Sequence, residues 1–484
     1  MEIEELVQKD RKTLVSRAYY FGQTAHKGQT RLSGDPFFDH PLAVAQILLD
    51  WKMDEATVAA GLLHDAVEDT ACALGQIKKE FGEEIAFLVD GVTKLSKLKY
   101  QEAERTRKSA EKFIMAIGRD LRILLIKLAD RLHNMRTIGS LPPERGRLIA
   151  LETYEIYASL AYRLGMQRLS GELEDLAFIY LYPKEYEELA SRVKEYYSER
   201  EEYLEGIKPD VLKALSEAGI NPLFIEFRAK RYSSLYKKLL RYDMDIEKIY
   251  DLVAFRIIVE SVADCYAVLG VIHKLWPPLP GRIKDYIAMP KPNNYRSLHT
   301  TVFGPDKKII EFQIRTPEMH DEAENGIAAT WAYEQSKHRK SYLRREAVFA
   351  QTAEIEWLKK LRVWQKKASE GDDFIEALKT DFFKDRIFAL APTGDVIDLP
   401  VGATPIDFAY HVHSWLGDHC VGAKINNRLV PLDRQLQSSD IVEILTQRNK
   451  KPSPSWLDFV KTNHAKHCIK KTLNIRLPRQ RQQR

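Results

Sequence analysis

Apolar residues recur at three- and four-residue spacing almost without a break to about residue 180, as in PLAVAQILLDW, ATVAAGLLHDAVED, EEIAFLVDGVTKL, DLRILLIKLADRLHNM and LETYEIYASLAYRLGM. That period belongs to helices and argues against a sheet in this part of the chain. Near residue 222 the period falls to two. PLFIEFRAKRY, DLVAFRIIV and KKIIEFQIRT read as strands, with helical SSLYKKLL and CYAVLGVIHKLW between them. A chain whose period changes in this way is not built around one core, and 484 residues exceed what one core holds.

The expected architecture is therefore multidomain. An all-α domain spans residues 1–180 and a charged helical connector 181–220. An α+β domain follows over 221–335, then a helical linker over 336–382. Short strands and turns over 383–446 (RIFALAP, VIDLP, CVGAKINNRLV, DIVEIL, with a helix at PIDFAYHVHSWLG) suggest a small β-grasp unit. Residues 447–484 read as a partial helical region ending in the basic tail IKKTLNIRLPRQRQQR.

With 74 basic and 69 acidic residues the net charge of +5 does not announce a nucleic-acid binder, so local charge matters more. Cys72, Cys265, Cys420 and Cys468 form no C-x-x-C pair, which argues against a zinc ribbon and a disulfide framework. MEIEELVQKDRK lacks the apolar centre of a signal peptide, and no apolar run reaches membrane-spanning length. A cytoplasmic location, with neither membrane nor DNA as partner, is expected.

Two groups of residues carry chemistry. In GLLHDAVEDT the pairs His64/Glu68 and Asp65/Asp69 are four apart, which a helix would place on adjoining faces. Upstream, His40 precedes Pro41 at an expected helix start. Downstream, Asp130 lies in the apolar helix IKLADRLHNMR, with Asn134 one turn on. A buried carboxylate is costly unless it is paired or coordinates a metal. Two imidazoles and two carboxylates form a mixed N/O set suited to Mn²⁺, Fe²⁺ or Zn²⁺. Lys27 and Arg31, around two glycines in AHKGQTRLSGD, suit a phosphorylated substrate.

The second group begins with FRAKRYSSLYKKLLR, which carries Arg228, Lys230, Arg231, Lys237, Lys238 and Arg241 with no acid. Arg228 and Lys230 alternate at strand spacing. In KKIIEFQIRT, Ile310, Phe312 and Ile314 point to a core and Glu311, Gln313 and Arg315 to the opposite face. Asp251 starts the other strand, and two acids on neighbouring strands hold Mg²⁺ over phosphates. The intervening GRIKDYIAMPKPNNYRSLHT reads as a functional loop bearing Lys284, Tyr286, Lys291, Tyr295, Arg296 and His299.

A histidine, then His-Asp, then a distant Asp, all on helices, resembles the HD-type metal phosphohydrolases. SGDPFFDHP, LLHDAVEDT, VDGVTKL, IKLADRLHNMRT, YDLVAFRIIV, GRIKDYIAMPKPNNYRSLHT, EFQIRTPEMHDEAENGIAA and TPIDFAYHVHSWLGDHCVGAKINNRLVPLD, in that order, resemble the long RelA/SpoT-type enzymes of bacteria, which make and destroy (p)ppGpp. The likeness runs from about residue 15 to 470. It implies a hydrolase domain releasing the 3′-pyrophosphate of (p)ppGpp, with Mn²⁺ on His40, His64, Asp65 and Asp130. Glu68 and Asp69 then handle the water, and Lys27, Arg31 and Asn134 lie near the nucleotide. It also implies a nucleotidyltransferase-like synthetase moving pyrophosphate from ATP to the 3′-hydroxyl of GDP or GTP. Asp251 and Glu311 would hold Mg²⁺, with Glu311 also a candidate base, and Arg228, Lys230 and Lys238 would take the ATP phosphates. Tyr295 would stack on guanine, with Lys284, Asn293, His299, Gln313 and Arg315 as further nucleotide contacts.

The basic form of RIKD, residues 282–285, and the intact HDAVED both imply a bifunctional member. Residues 383–446 resemble the family's TGS domain, in which His413 matches a histidine that meets deacylated tRNA. The family's long members continue further, whereas this chain stops soon after TGS. Phe227, Ser233-Ser234 and Thr330 depart from the usual pattern, and Phe227 is expected beside the ATP clamp. Two alternatives stay open: a hydrolase whose decayed synthetase senses nucleotides, and an RNA-binding regulator acting through TGS and the basic tail.

Overall fold

The computed structural model describes residues 2–96, 120–246, 249, 252–291, 293–329, 386–437 and 440–474. Asp251, Thr330, the 336–382 linker and the end of the basic tail lie outside the described residues. Two compact units divide the chain, Met1–Asp372 and Asp373–Arg484.

After a short helix at Ile3–Lys9, the main helices of the first unit are α1 (Leu14–Ala25), α2 (Asp39–Asp50), α3 (Glu55–Leu63), α4 (Glu83–Ser96), α5 (Leu121–Arg136), α6 (Pro143–Glu152), α7 (Ala158–Arg163) and α8 (Gln167–Leu181). Their starts are chemically marked. The side chains of Thr13, Asp54 and Asp120 accept from the N–H groups of Ser16, Thr57 and Arg122, caps worth about 1 kcal/mol each. α3 packs against α1, α2 and α4, and α5 against α2 and α4. Every residue from Thr57 to Leu63 of α3 is buried, as is every residue from Ile123 to Asp130 of α5. Helices enclosed on all sides can carry polar groups only where those groups find partners. Between α6 and α7 the segment Thr153–Tyr157 is π-helical, and the guanidinium of Arg131 lies 4.1 Å from the Tyr157 ring.

Helix α9 (Pro183–Glu217) runs for 35 residues. Leu189 and Val193 pack with Phe178, Leu235 and Leu239 in the α8 region, while Leu204, Ile207, Val211 and Leu215 join the core under a sheet. That sheet holds β1 (Phe224–Ala229), β2 (Val253–Ile258), β3 (Lys284–Asp285), β4 (Leu298–Phe303) and β5 (Ile309–Arg315), with α10 (Tyr232–Leu239) and α11 (Val262–Leu275) between strands and α12 (Pro317–Asn325) after them. Strand order is β1-β2-β5-β4-β3, with β2 and β5 parallel and the other pairs antiparallel.

The pairing places Glu226, Arg256, Gln313, His299 and Lys284 in one row across all five strands. The adjacent row on that face contains Arg228, Ala254, Glu311 and Thr301. On the other face Phe227 meets Phe255 at 5.1 Å and Phe255 stacks on Phe312 at 5.0 Å, over the core. Phe227 therefore lies on the face opposite Arg228, because alternation turns consecutive residues to opposite sides. It does not crowd the polar face as expected. Two further expectations are corrected. β1 ends at Ala229, so Lys230 falls beyond the strand, and the expected loop contains the short strand Lys284–Asp285.

The helical half and the sheet half touch through backbone. Gly326 has φ +55°, and a Cβ there would lie 2.2 Å from the Leu164 oxygen and 2.4 Å from the Gly165 carbonyl carbon. Next to it Ile327 donates to the Leu164 oxygen at 2.9 Å, and the Ser233 N–H donates to Asp175 at 2.9 Å.

The second unit pairs β6 (Arg386–Leu390) with β7 (Val396–Pro400) and orders β8 (Cys420–Ile425), β9 (Arg428–Val430) and β10 (Val442–Thr446) as β10-β8-β9, around helix α13 (Pro405–Val412). A parallel bridge between Leu390 and Ile441 joins the two sheets, as a β-grasp requires. Helix α14 (Asn463–Thr472) packs on α13, where Ala465 and Ile469 share a core with Ile406, Tyr410 and Trp456. The buried Asp407 carboxylate accepts from Thr404, Lys461 and Thr462.

Replacing Gly326 with alanine strains φ and drives Cβ into the Leu164–Gly165 backbone. The expected loss is roughly 3 kcal/mol of stability, read by denaturant unfolding. A loss below about 0.5 kcal/mol would show that this backbone yields freely.

Candidate functional site

The helical half brings His40, His64, Asp65 and Asp130 together, though not by the expected route. GLLHDAVEDT is not one helix: α3 stops at Leu63, His64 and Asp65 form a turn, and a one-turn helix Ala66–Asp69 follows. There His64 Nε2 lies 3.1 Å from one Asp65 oxygen and His40 Nε2 3.5 Å from the other. His40 Nε2 is also 3.1 Å from Asp130 Oδ1. Pro41 is the third residue of α2 rather than the first, still within the turn where its missing N–H costs nothing.

His40, His64 and Asp65 offer ligand atoms that all lie within 4.8 Å of one another. The His64 imidazole tests the fit to a cation. Its Nδ1 donates to the Gly61 carbonyl at 2.8 Å, so in the neutral ring Nε2 carries a lone pair. That nitrogen is buried, has no hydrogen-bond partner among the described residues and faces carboxylate oxygen. Lone pairs facing one another out of water fit a shared cation.

Asp130 is held from both ends. Lys127, one turn earlier on α5, pairs with Oδ2, and Asn134, one turn later, donates to Oδ1. Burial would raise its pKa, but Lys127 first and then His40 outweigh this and hold the carboxyl well below its ordinary range. Arg31 donates to Asn134 at 3.0 Å and to Thr137 at 3.3 Å, while Lys27 is exposed. Glu68 and Asp69 follow the cluster on the one-turn helix, their N–H groups returning to the Asp65 carbonyl. Burial and then the Asp65 charge push the Asp69 pKa up.

Sequence reasoning passed over His26, Gln29, Lys127 and His133. His26 Nδ1 meets Gln29 at 2.8 Å, and Gln29 donates to the Asp69 carbonyl at 2.7 Å, so this pair ties the first loop to the acid-bearing turn. His133 Nδ1 lies 2.7 Å from His40 Nδ1. The signal for Lys127 and His133 was available, since both stand three residues from Asp130 on one helix face.

On the sheet, Glu311, His299, Tyr295, Gln313 and Arg315 are linked. Arg315 donates to the Tyr295 oxygen at 2.9 Å, the hydroxyl donates to His299 Nε2 at 2.7 Å, and His299 Nδ1 donates to Glu311 at 3.2 Å. Burial lowers the His299 pKa, which agrees with the neutral ring this direction needs. Gln313 donates to Glu311 and accepts from Arg315. Arg315 is 0% exposed, so this face is covered by α12 and the loop rather than open as the alternation alone suggested.

Arg256 pairs with Glu226 at 2.7 Å and with Glu324 at 3.2 Å. Burial would raise the Glu324 pKa, but Arg256, Arg228 and Arg315 lower it. Arg256 was also missed, although a lone cation inside LVAFRIIV was its signal. Lys284 is exposed, and Lys230 and Lys238 are half-buried. Asn293 donates to the Tyr162 carbonyl of the helical half at 3.3 Å. Tyr295 is 4% exposed, with the Lys291 ammonium 4.7 Å and the Arg315 guanidinium 5.2 Å from its ring. Its ring is thus covered by cations rather than open for a base. In the second unit His413 is exposed and caps a short helix, accepting from the Trp415 N–H at 3.1 Å.

Three family models match the chain: HD domain at residues 18–167, the region found in RelA/SpoT proteins at 227–338, and TGS domain at 386–446. A GTP pyrophosphokinase of Streptomyces coelicolor is 47% identical over 94% of the chain and 55% of its own length. One of Myxococcus xanthus is 44% identical, over 94% and 60%. The Escherichia coli K12 protein named bifunctional (p)ppGpp synthase/hydrolase SpoT is 42% identical, over 97% and 66%. The chain thus spans between 55% and 66% of the length of these relatives. Among the described residues no helix is long and apolar enough to cross a membrane.

Burial, followed by the charges of Lys284 and Arg315, pushes the Lys291 pKa down to about 8 from 10.5. Between those values the unfolded chain binds the extra proton, so this group makes stability rise as pH climbs from 8 to 10.5 and adds its full cost below 8. Denaturation midpoints across that range should show the rise in the parent and lose it in Lys291→Met. Parallel curves would contradict it.

Proposed function

We propose that the chain is a RelA/SpoT-type bifunctional alarmone enzyme, hydrolysing (p)ppGpp to GDP or GTP and pyrophosphate and making (p)ppGpp from ATP with GDP or GTP. One observation carries the reading: a single compact unit bears both a buried cluster of facing lone pairs and a cation-rich sheet face with an acid at its centre.

In the hydrolase, His40, His64, Asp65 and Asp130 hold a divalent ion, Mn²⁺ in this proposal. Such an ion supplies positive charge against a phosphoryl oxygen and acidifies water. Lys127 keeps Asp130 ionised, and the Gly61 carbonyl keeps the His64 lone pair turned inward. Glu68 and Asp69 orient the attacking water and take its proton, a task suited to the raised pKa of Asp69. Arg31, placed by Asn134, and Lys27 receive the nucleotide.

In the synthetase, Arg228, Lys230 and Lys238 take the ATP phosphates, and Asp251 with Glu311 holds Mg²⁺. Glu311 draws the proton from the 3′-hydroxyl, Lys284 and Arg315 neutralise developing charge, the main demand of such transfers, and His299 and Gln313 make further nucleotide contacts. Guanine stacks on Tyr295 once Lys291 swings out, and Asn293 positions the loop through the helical half. The position of Phe227 on the apolar face removes one reason for regarding the synthetase as decayed. Through His413, beside the exposed Trp415, the second unit contacts deacylated tRNA. These nucleotides place the work in the cytoplasm.

Asp65→Ala should lower ppGpp hydrolysis more than about 100-fold. Given ATP, GDP and Mg²⁺, that variant should accumulate ppGpp. Adding Glu311→Ala should then cut synthesis by about 10²–10⁴-fold. Chromatography resolves both. No ppGpp at any metal level would leave a hydrolase alone.

A further inference from the structure

We propose that His133 is a positioning residue for the metal centre, fixing the tautomer of His40 by accepting its Nδ1 proton. The inference rests on the metal reading of the cluster. His133 Nδ1 and His40 Nδ1 are 2.7 Å apart, with ring centroids 4.9 Å apart and tilted by 39°. Two nitrogens at that distance share one proton, so one donates and the other accepts.

If His133 donates, a neutral His40 carries its own proton on Nε2, which faces Asp130 at 3.1 Å and Asp65 at 3.5 Å. That proton then stands where a cation belongs. If His40 donates, its Nε2 is a lone pair directed at the same carboxylates and His133 keeps its proton on Nε2. Only the second arrangement makes His40 a ligand. His64 has no such choice, because its Nδ1 faces the Gly61 carbonyl, which can only accept. The two histidines of the cluster therefore differ: His64 is set by backbone, whereas His40 depends on a side chain that can accept or donate.

His133 is itself held in place. It stands on α5 three residues after Asp130, and its carbonyl accepts from the N–H and hydroxyl of Thr137 at 3.1 and 3.0 Å. One helix thus supplies a ligand and, one turn on, the group that orients a ligand from another helix. Outer hydrogen bonds of this kind typically alter metal affinity 10–100-fold.

The test titrates Mn²⁺ into the purified full chain without nucleotide, reading free Mn²⁺ by electron paramagnetic resonance. Thermal unfolding in chelator checks the fold of each variant. His133→Leu removes the acceptor, and His133→Asn places a carbonyl oxygen near the position of Nδ1. Expected is binding about 10–100-fold weaker in His133→Leu, recovered to within about threefold in His133→Asn, with hydrolysis in His133→Leu restored by excess Mn²⁺. Should His133→Leu not fold, His133→Phe, which keeps a ring without an acceptor, takes its place with the same expectation. Parent-like affinity in the variant lacking the acceptor would overturn the inference. Equal weakness in His133→Asn would do so too, by showing that the ring's shape matters and its acceptor does not. A parent chain that binds no Mn²⁺ would instead sink the metal reading beneath it.

Discussion

The carboxylate of Asp130 sits at the end of a helical stretch, Ile123–Asp130, in which every residue is buried, in contact with Lys127, Asn134 and His40. An ion removed from water at such depth costs several kcal/mol unless its partners compensate, and breaking such a set is costlier still. Much of the helical half follows from meeting this demand. α2 must deliver His40 against α5, so the two helices pack directly, and the residues after α3 bring His64 and Asp65 to the same point. Arg131, on the far side of α5, faces Glu152 and the π-helical Tyr157, which matches charge there as well. The helices are ordinary in their capping and apolar rows. What distinguishes the bundle is that the buried stretch Ile123–Asp130 carries an ionic centre.

The sheet half solves a related problem with another geometry. Parallel pairing of β2 with β5 and antiparallel pairing elsewhere align side chains from five strands into rows, so one face collects charge while the other collects phenylalanine. Cations outnumber acids near Glu324, whose single carboxylate is drawn on by Arg256, Arg228 and Arg315. Such a face is poised for anions with several negative oxygens, because Arg228 and Arg315 must share the Glu324 charge with Arg256.

Period, capping and composition made most of the helices and strands legible in the sequence, along with the division into a helical part, an α+β part and a β-grasp part. The gathering of His40, His64 and Asp65 was legible too, because His and Asp inside apolar runs need a reason to be there. Other features were not. The interruption at His64 and Asp65 leaves no glycine or proline as a mark, and a helical period continues across it. Which way Phe227 points depends on strand phase, which a motif comparison ignores. Cover over Arg315 and Tyr295 comes from α12 and the loop folding back across the strand, so alternation predicts a face but not what lies above it. His133 and Arg256 were visible as residue types in the right runs, yet their partners come from other elements.

Asp407 shows how a small fold can be tied to sequence outside its family boundary. Its carboxylate fastens Thr404, in its own capping turn, to Lys461 and Thr462, which lie beyond the 386–446 match. Tyr410 and Thr472 meet in the same way at Asp418. In evolutionary terms the transferable module is longer than the recognised one. A recombination event that moved the β-grasp without the segment through α14 would strand a buried anion, so these stretches should be inherited together and drift in step.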